Sequence, residues 1–267
     1  IENSKKGQQK FGEYDKVVIM RISEEAYNLI KKIKTKEIDN PFWKVINYQY
    51  VSLIKDSLTK KFPEQRRKID FKILNLPYRE VNFKEVFNFN ENDYEKIRKL
   101  PPMKTKEKIV IIHTGPVWVM REWENKKWAE LIRKINSSGN YRFVFVGTGE
   151  AKKDFEEISK RLDFKVYSFI DKINLMELML ILRLSNCLIG VDSGPRNMAH
   201  LADLRSITLF GPAASGAIYM PWSKKDIVID KSKGGGAYEA LFYKKKGYIH
   251  SITVEEVFEA FKKIKKN

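Results

Sequence analysis

Residues 187–197 read CLIGVDSGPRN, and this stretch decides the fold of the surrounding chain. The run from Cys187 to Val191 is typical of a strand that is buried on both faces. One acidic and two small residues then turn the chain, and Pro195 opens a helix, where its missing N–H leaves no bond unmade. A buried strand that leads directly into a helix indicates a parallel sheet with helices on its faces.

The same alternation extends outward on both sides of this stretch. Predicted strands cover 109–112, 143–146, 165–167, 187–191, 206–210 and 227–229. Predicted helices cover 125–136, 150–162, 175–182, 195–202 and 253–265, each with apolar residues on one face. The capping-box pairs Asn174/Glu177 and Thr253/Glu256 mark two of the helix starts. From about residue 105 onward the sequence therefore predicts a doubly wound α/β domain.

Residues 1–104 are less regular. They contain a candidate strand at 16–20 and candidate helices at 24–34 and 42–58. Pro101-Pro102 and the following KTKEK are typical of a linker. We expect a partial N-terminal α/β domain over 1–104, a second domain over 105–250, and a terminal helix over 251–267 that packs back toward the first domain.

Composition limits the classes of protein and of site. The 267 residues are 43% hydrophobic, which is enough for a core. No run of 18 apolar residues occurs, and the polar, basic N-terminus is not expected to be a signal peptide. A single cysteine, Cys187, excludes an internal disulfide and a cysteine metal cluster, which suits the cytosol. His113, His200 and His250 lack the spacing of zinc ligands.

The formal net charge is +17, from 51 basic and 34 acidic residues. Such a charge attracts polyanions: nucleic acid, anionic lipid or a phosphorylated glycan. A lysine-rich surface that only keeps the protein in solution is the alternative, because the lysines are spread along the whole chain. No basic patch interleaved with aromatic residues is found, so a specific nucleic-acid partner is not expected.

The loop over 192–197 is a candidate anion site. Gly194 lets the backbone approach a ligand, and the N–H groups of Ser193, Gly194 and the first helical turn would face it with the positive end of the helix dipole. On composition alone, an ordinary turn capped by Ser193 or Asp192 is the simpler interpretation.

Three further loops follow predicted strands. In residues 113–121, Thr114 and Gly115 provide donors, and Arg121 could add a guanidinium to a diphosphate; Trp123 is expected to pack beneath the next helix. Residues 147–149 (GTG) are equally typical of a tight turn and of a loop that contacts a ligand. Residues 210–216 (FGPAASG) form either a ligand loop or a plain surface loop.

Taken in order, these loops resemble glycosyltransferase family 9, whose best-known members are lipopolysaccharide heptosyltransferases. The chain contains Arg121-Glu-Trp123, Asp192-Ser-Gly-Pro195 and Leu209-Phe-Gly-Pro212. The family shows a basic residue two before a Trp, then D-[ST]-G-P-x-H-x-A, then a strand that ends F-G-P. The resemblance covers about residues 105–230.

The resemblance implies a GT-B architecture with two Rossmann-like domains and the nucleotide-sugar in the C-terminal one. It also implies an inverting transfer without metal or cofactor, from an ADP-type donor. Donor-binding roles carry over to Thr114, Gly115, Arg121, Asp192, Ser193, Gly194 and position 197, with Ile173 and Leu175 near the base.

Two departures from the family pattern stand out. Asn197 occupies the position of the family's His, and an amide cannot carry charge. The family's first strand and its loop with the acceptor-side Asp are not recognisable, so we expect an incomplete N-terminal domain. Asp15 is the one nearby carboxylate that could act as the base; the alternative is a solvated charge at a strand end.

Two functions remain. The first is an enzyme that transfers a heptose or related hexose to a lipopolysaccharide-type or other surface glycan, in the cytoplasm and in peripheral contact with the anionic inner membrane. The second is a catalytically defective member that binds nucleotide or acts as a scaffold, which Asn197 and the short N-terminal domain favour. The heptose assignment rests on the family alone.

Overall fold

The computed structural model describes residues 13–18, 34–39, 87–115, 122–210, 225–231 and 248–266. The chain divides into two compact units, Ile1–Arg79 and Glu80–Asn267. Each unit has its own parallel sheet.

In the first unit, β1 (Glu13–Val18) pairs in parallel with β2 (Lys34–Asp39). Parallel strands need a connection of a dozen or more residues, and residues 19–33 separate these two strands in the sequence. β1 begins and ends earlier than the predicted strand at 16–20, and it contains Asp15. Lys34, predicted to end a helix, instead begins β2, because pairing with Glu13 overrides a weak local preference. The rest of that predicted helix and the one at 42–58 lie outside the described residues.

Six parallel strands form the sheet of the second unit, in the order β5-β4-β3-β6-β7-β8. They are β3 (Lys108–His113), β4 (Tyr141–Phe145), β5 (Tyr167–Ser168), β6 (Cys187–Val191), β7 (Ser206–Phe210) and β8 (Asp226–Asp230). The chain builds outward from β3 to β5, returns to β6 beside β3, and builds outward the other way. The predicted doubly wound α/β fold is confirmed, and its strand order reverses between β3 and β6.

Helices cover both faces of this sheet. They are α1 (Glu91–Arg98), α2 (Asn125–Asn136), α3 (Ala151–Lys160), α4 (Leu175–Arg183), α5 (Gly194–Leu201) and α6 (Val254–Lys266). Val110 and Ile112 of β3 pack with residues of α2, α3 and α6, whereas Ile109 and Ile111 pack with residues of α1, α4 and α5. Cys187 in β6 is buried in the first of these cores. Within the described ranges, no helix is long and apolar enough to cross a membrane.

Both predicted capping boxes are confirmed. The side chain of Asn174 accepts from the N–H groups of Met176 and Glu177 at 2.9 and 3.0 Å, and the Glu177 carboxylate accepts from the Asn174 N–H at 2.8 Å. At α6, the Thr253 N–H donates to Glu256 at 2.9 Å, and the Glu256 N–H donates to the Thr253 hydroxyl at 3.2 Å. These bonds satisfy N–H groups that a helix start otherwise leaves unpaired.

The two compact units divide after Arg79, whereas the domain boundary predicted from the sequence lies after residue 104 and stays a prediction. Helix α1, which was not predicted, begins with an Asn90/Asp93 capping box and buries Ile97 in the core shared with α4. Residues 87–104 therefore belong to the second unit. Helix α6 packs most extensively against α2, β7 and β8 of the same unit, and its Phe261 also contacts the ring of Tyr141 in β4.

Candidate functional site

The loops that follow β3 and β6 meet at the carboxyl edge of the sheet, where the strand order reverses. Gly115 has a φ of +111°, and a Cβ atom there would lie 2.4 Å from Cγ2 of Val191. A larger residue would force the two loops apart. The structure thus brings together Thr114 and Gly115 after β3 and residues 192–194 after β6, which we call the switch-point crevice.

Helix α5 begins at this crevice. Ser193 precedes it in an extended conformation, and the Ser193 side chain does not cap the first N–H groups of the helix. The Ser193 hydroxyl instead donates to the Val191 carbonyl at 3.2 Å, so the simple capped turn by Ser193 is not formed. A Cβ atom at Gly194 would meet no atom within 4 Å, so the space beside it is open. The first turn of α5, which includes the partly buried Asn197, can therefore accept an anion at its positive end.

A group of buried polar side chains lies under α5 and was not predicted. Along β7, Ser206 and Thr208 donate from their hydroxyls to Oδ1 of Asp226 at 2.7 and 3.0 Å. Arg196 donates to Oδ2 of Asp226 from Nη2 at 2.7 Å and from Nε at 3.2 Å. We call Arg196, Ser206, Thr208 and Asp226 the β7 polar slot.

Arg196 connects the β7 polar slot to Asp192 of the crevice. Its side chain is only 2% exposed and lies over the ring of Phe210, 5.3 Å from the ring centroid. Its Nη1 lies 3.7 Å from Oδ1 of Asp192. One feature of the sequence could have indicated this group: Ser206 and Thr208 alternate in a strand whose every residue is buried. Buried hydroxyls require hydrogen-bond partners, so polar side chains had to lie nearby.

His113, the last residue of β3, is buried beside the crevice. Its Nδ1 lies 2.9 Å from the Val146 carbonyl, which can only accept, so Nδ1 donates. Its Nε2 is buried without a hydrogen-bond partner among the described residues. Burial lowers the pKa of His113 below the ordinary 6.5, and the bond to Val146 opposes this only in part. The imidazole is therefore neutral in the folded protein at pH 7.

This burial predicts a loss of stability in acid. The pKa of His113 in the unfolded chain is about 6.5. Below that pH, His113 binds a proton in the unfolded state but not in the folded state. The contribution of neutral His113 to the free energy of unfolding is therefore fully present above that pH. It decreases as the pH falls, by up to about 1.4 kcal/mol per pH unit for one proton. We expect His113→Asn, whose amide can still donate to Val146, to flatten this fall in urea unfolding at pH 7.5, 6.5 and 5.5. An unchanged pH dependence in the variant would contradict the assignment.

The GTG loop after β4 is held as a tight turn. The Gly149 N–H donates to both carboxylate oxygens of Asp171, at 3.0 and 3.1 Å. The Asp171 N–H donates to the Gly147 carbonyl at 3.2 Å. Because Asp171 already takes the Gly149 N–H, that donor is not available to a phosphate, which favours the tight-turn interpretation over a ligand contact.

The other predicted residues are placed as follows. Ile173 is partly buried against the core of α4, and Leu175, the first residue of that helix, is 64% exposed. Trp123 is buried beneath α2 against Trp128, as predicted. Its indole N–H also donates to the Ile252 carbonyl at 2.9 Å, which was not predicted. Arg121 and the loop at 211–216 lie outside the described residues, as does the side chain of Asp15. In the part of the chain that the structure describes, no three His, Cys, Asp or Glu residues are grouped to hold a metal.

Comparison with known proteins gives a family match over most of the chain. The model of glycosyltransferase family 9 (heptosyltransferase) matches residues 29–238. Lipopolysaccharide heptosyltransferase 3 of Escherichia coli (strain K12) is 25% identical in an alignment 187 residues long that covers 66% of this chain and 52% of that protein. Lipopolysaccharide heptosyltransferase 1 of Campylobacter coli is 25% identical over 183 residues, 61% and 53% of the two chains. The chain thus spans about half the length of these relatives.

Solved structures show the same fold. The structure of E. coli heptosyltransferase WaaC with ADP matches with a TM-score of 0.59 and 13% identity, over 95% of this chain and 73% of that one. The structure of E. coli ADP-heptose lps heptosyltransferase II matches with a TM-score of 0.55 and 18% identity, over 66% and 52%. These likenesses confirm the predicted GT-B-like α/β architecture.

Proposed function

The chain belongs to glycosyltransferase family 9, and from that premise we propose that it is a glycosyltransferase. It moves a heptose or related hexose from a nucleotide-diphosphate donor to a lipopolysaccharide-type or other surface glycan acceptor. The transfer inverts the anomeric centre and needs no metal. Residues 105–250 provide the donor-binding domain, and the N-terminal residues provide the acceptor side.

The close approach of Gly115 to Val191 carries this proposal. It brings two strand-end loops together with the start of α5, which the Ser193 side chain does not cap, at the edge where doubly wound sheets bind nucleotides. A nucleoside diphosphate gains negative charge as its bond to the sugar breaks. Helix N–H groups and the Arg121 guanidinium would offset that charge, which favours the transition state over the bound donor.

The remaining donor and acceptor contacts follow the family resemblance. Thr114 and Gly115 lie beside the phosphates, while Asp192, Ser193, Gly194 and Asn197 hold the sugar and diphosphate. Ile173 and the exposed Leu175 contact the base, and an exposed leucine at a loop edge suits a flat aromatic ring. Relatives and structural neighbours named for heptose transfer and ADP support an ADP-sugar donor. Asp15 is the proposed base for the acceptor hydroxyl.

The charge of +17 suits an anionic partner. A phosphorylated glycan or glycolipid acceptor and the anionic surface of the inner membrane both meet that description, and each basic residue near such a surface adds about 1 kcal/mol of attraction. We therefore place the protein in the cytoplasm, in peripheral contact with that membrane, with no specific nucleic-acid partner.

A second function is favoured by one observation. Asn197 occupies the position at which the family has His, and it lies in the first turn of α5. Without an ionisable side chain there, the protein would bind nucleotide but transfer no sugar, and would act as a nucleotide-binding or scaffold protein.

Calorimetric titration of ADP, UDP, GDP, CDP and TDP without metal tests the donor site. We expect selective binding of ADP, and Arg121→Ala is expected to weaken it roughly 10- to 100-fold through loss of a charge-assisted bond. Arg161→Ala is the control, because Arg161 is exposed, pairs with Glu157 and follows α3 at the far end from the carboxyl edge. It should bind as the wild type does.

The outcomes separate the two functions. Selective ADP binding together with ADP release from ADP-heptose in the presence of acceptor glycan supports the transferase. Selective binding without any transfer supports the nucleotide-binding alternative. If the folded wild-type protein binds none of the five diphosphates, the donor site is wrong.

A further inference from the structure

The β7 polar slot leaves one nitrogen of its guanidinium without a hydrogen bond. Nε and Nη2 of Arg196 both donate to Oδ2 of Asp226. Nη1 is buried and makes no hydrogen bond with any described residue. It lies 3.7 Å from Oδ1 of Asp192, too far for a hydrogen bond but close enough for an ion pair.

The guanidinium cannot turn to improve that contact. The hydroxyls of Ser206 and Thr208 fix the opposite oxygen of Asp226, so this carboxylate accepts four hydrogen bonds and is itself immobile. The guanidinium carbon lies over the Phe210 ring. Arg196 therefore holds its positive charge toward Asp192, one of the residues of the switch-point crevice.

The chemistry of Asp192 decides which part of a donor it can meet. An ionised carboxylate only accepts hydrogen bonds, and a diphosphate offers none, so the two groups repel each other. Sugar hydroxyls do donate. The N–H groups at the start of α5 have the opposite preference and suit the phosphates.

We propose, resting on the proposed function, that Arg196 is a positioning residue held by Asp226. Its fixed charge keeps the Asp192 carboxylate oriented to accept hydroxyls of the transferred sugar, and it weakens the repulsion between that carboxylate and the diphosphate. Asp192 thereby selects a nucleotide-sugar over the free nucleoside diphosphate, and the selectivity depends on a side chain that does not contact the donor.

The test compares the affinities for ADP-heptose and for ADP, measured by calorimetry. In Arg196→Lys, which keeps the charge but loses the fork of donors, we expect the preference for ADP-heptose to fall about tenfold while ADP affinity changes less than about twofold. Asp192→Asn should lose the same preference, and the double variant should lose little more than either single variant. Arg142→Lys is the control, since Arg142 pairs with Glu107 at the amino edge of the sheet.

Three results would overturn the proposal: an equal loss of both ligands in Arg196→Lys, an additive loss in the double variant, or a similar loss in Arg142→Lys. Should Arg196→Lys fail to fold, Thr208→Val removes one donor to Asp226 without changing the side-chain shape and is expected to lower the same preference; an unchanged preference would equally overturn it. If wild-type protein binds neither ligand, the proposed function fails instead, and that result is distinct from the three above.

Discussion

Asp226→Ala is expected to lower the free energy of unfolding by about 3–5 kcal/mol. The substitution leaves Arg196 as a charge that is 2% exposed and without its hydrogen-bonded partner, and it removes the acceptor of the Ser206 and Thr208 hydroxyls. Burying an unpaired charge is costly because the protein interior cannot replace its hydration. Urea unfolding followed by circular dichroism at pH 7.5 measures the change.

The neighbouring residue provides the control. Lys225 pairs with Asp203 at 2.7 Å, but both side chains are about half exposed. Lys225→Ala is therefore expected to change stability by only about 0–1 kcal/mol. Replacing the buried pair together, as Arg196→Met with Asp226→Leu, should recover part of the loss because both charges of the pair are removed. The recovery is incomplete because Asp192 loses its contact with Arg196, and the Ser206 and Thr208 hydroxyls lose their acceptor. Equal effects of Asp226→Ala and Lys225→Ala would contradict the role given to the β7 polar slot.

Gly115→Ala is expected to lower the free energy of unfolding by about 2–6 kcal/mol and to weaken nucleotide binding more than about tenfold. Two costs combine: a side chain at a φ of +111°, and a Cβ atom 2.4 Å from Cγ2 of Val191. Because Val191 ends β6, relief of the clash must move the two loops of the switch-point crevice apart. Thermal unfolding and ADP titration measure the two effects.

Gly149→Ala is the control that separates the cost of backbone strain from the cost of the clash with Val191. Gly149 has a φ of +54°, but a Cβ atom there would meet nothing within 4 Å. It should lose only about 1–2 kcal/mol, the cost of a left-handed conformation, and leave ADP binding unchanged. Val191→Ala in the Gly115→Ala protein should restore part of the binding. If Gly115→Ala and Gly149→Ala behave alike, close packing of the loops is not what shapes the crevice.

Most of the second unit could be predicted from the sequence. The strands at 187–191 and 206–210 and the helix at 125–136 have their predicted bounds, because buried parallel strands and amphipathic helices each carry a strong local pattern. The meeting of Thr114 and Gly115 with residues 192–194 also follows from the alternation, since the carboxyl ends of parallel strands share one edge.

The rest depends on contacts between distant residues. Strand β2 is mostly charged, so nothing local indicates a strand, and its pairing with β1 decides the conformation. Arg196 and Asp226 are thirty positions apart in the sequence. The local sequence around each of them predicts only an exposed charged side chain. Asp171 takes the Gly149 N–H across two loops, which the isolated GTG pattern could not reveal. The one available clue was a pair of hydroxyl residues in a wholly buried strand.

Cys187 has a consequence for future spectroscopy. It is the only cysteine in the sequence, and burial raises its pKa to about 12, so almost no thiolate forms near neutral pH. A maleimide dye or a nitroxide would therefore leave the native thiol untouched. A cysteine introduced at an exposed position such as Met176 would carry the label alone, and fluorescence from that label could report occupancy of the neighbouring site without any background substitution.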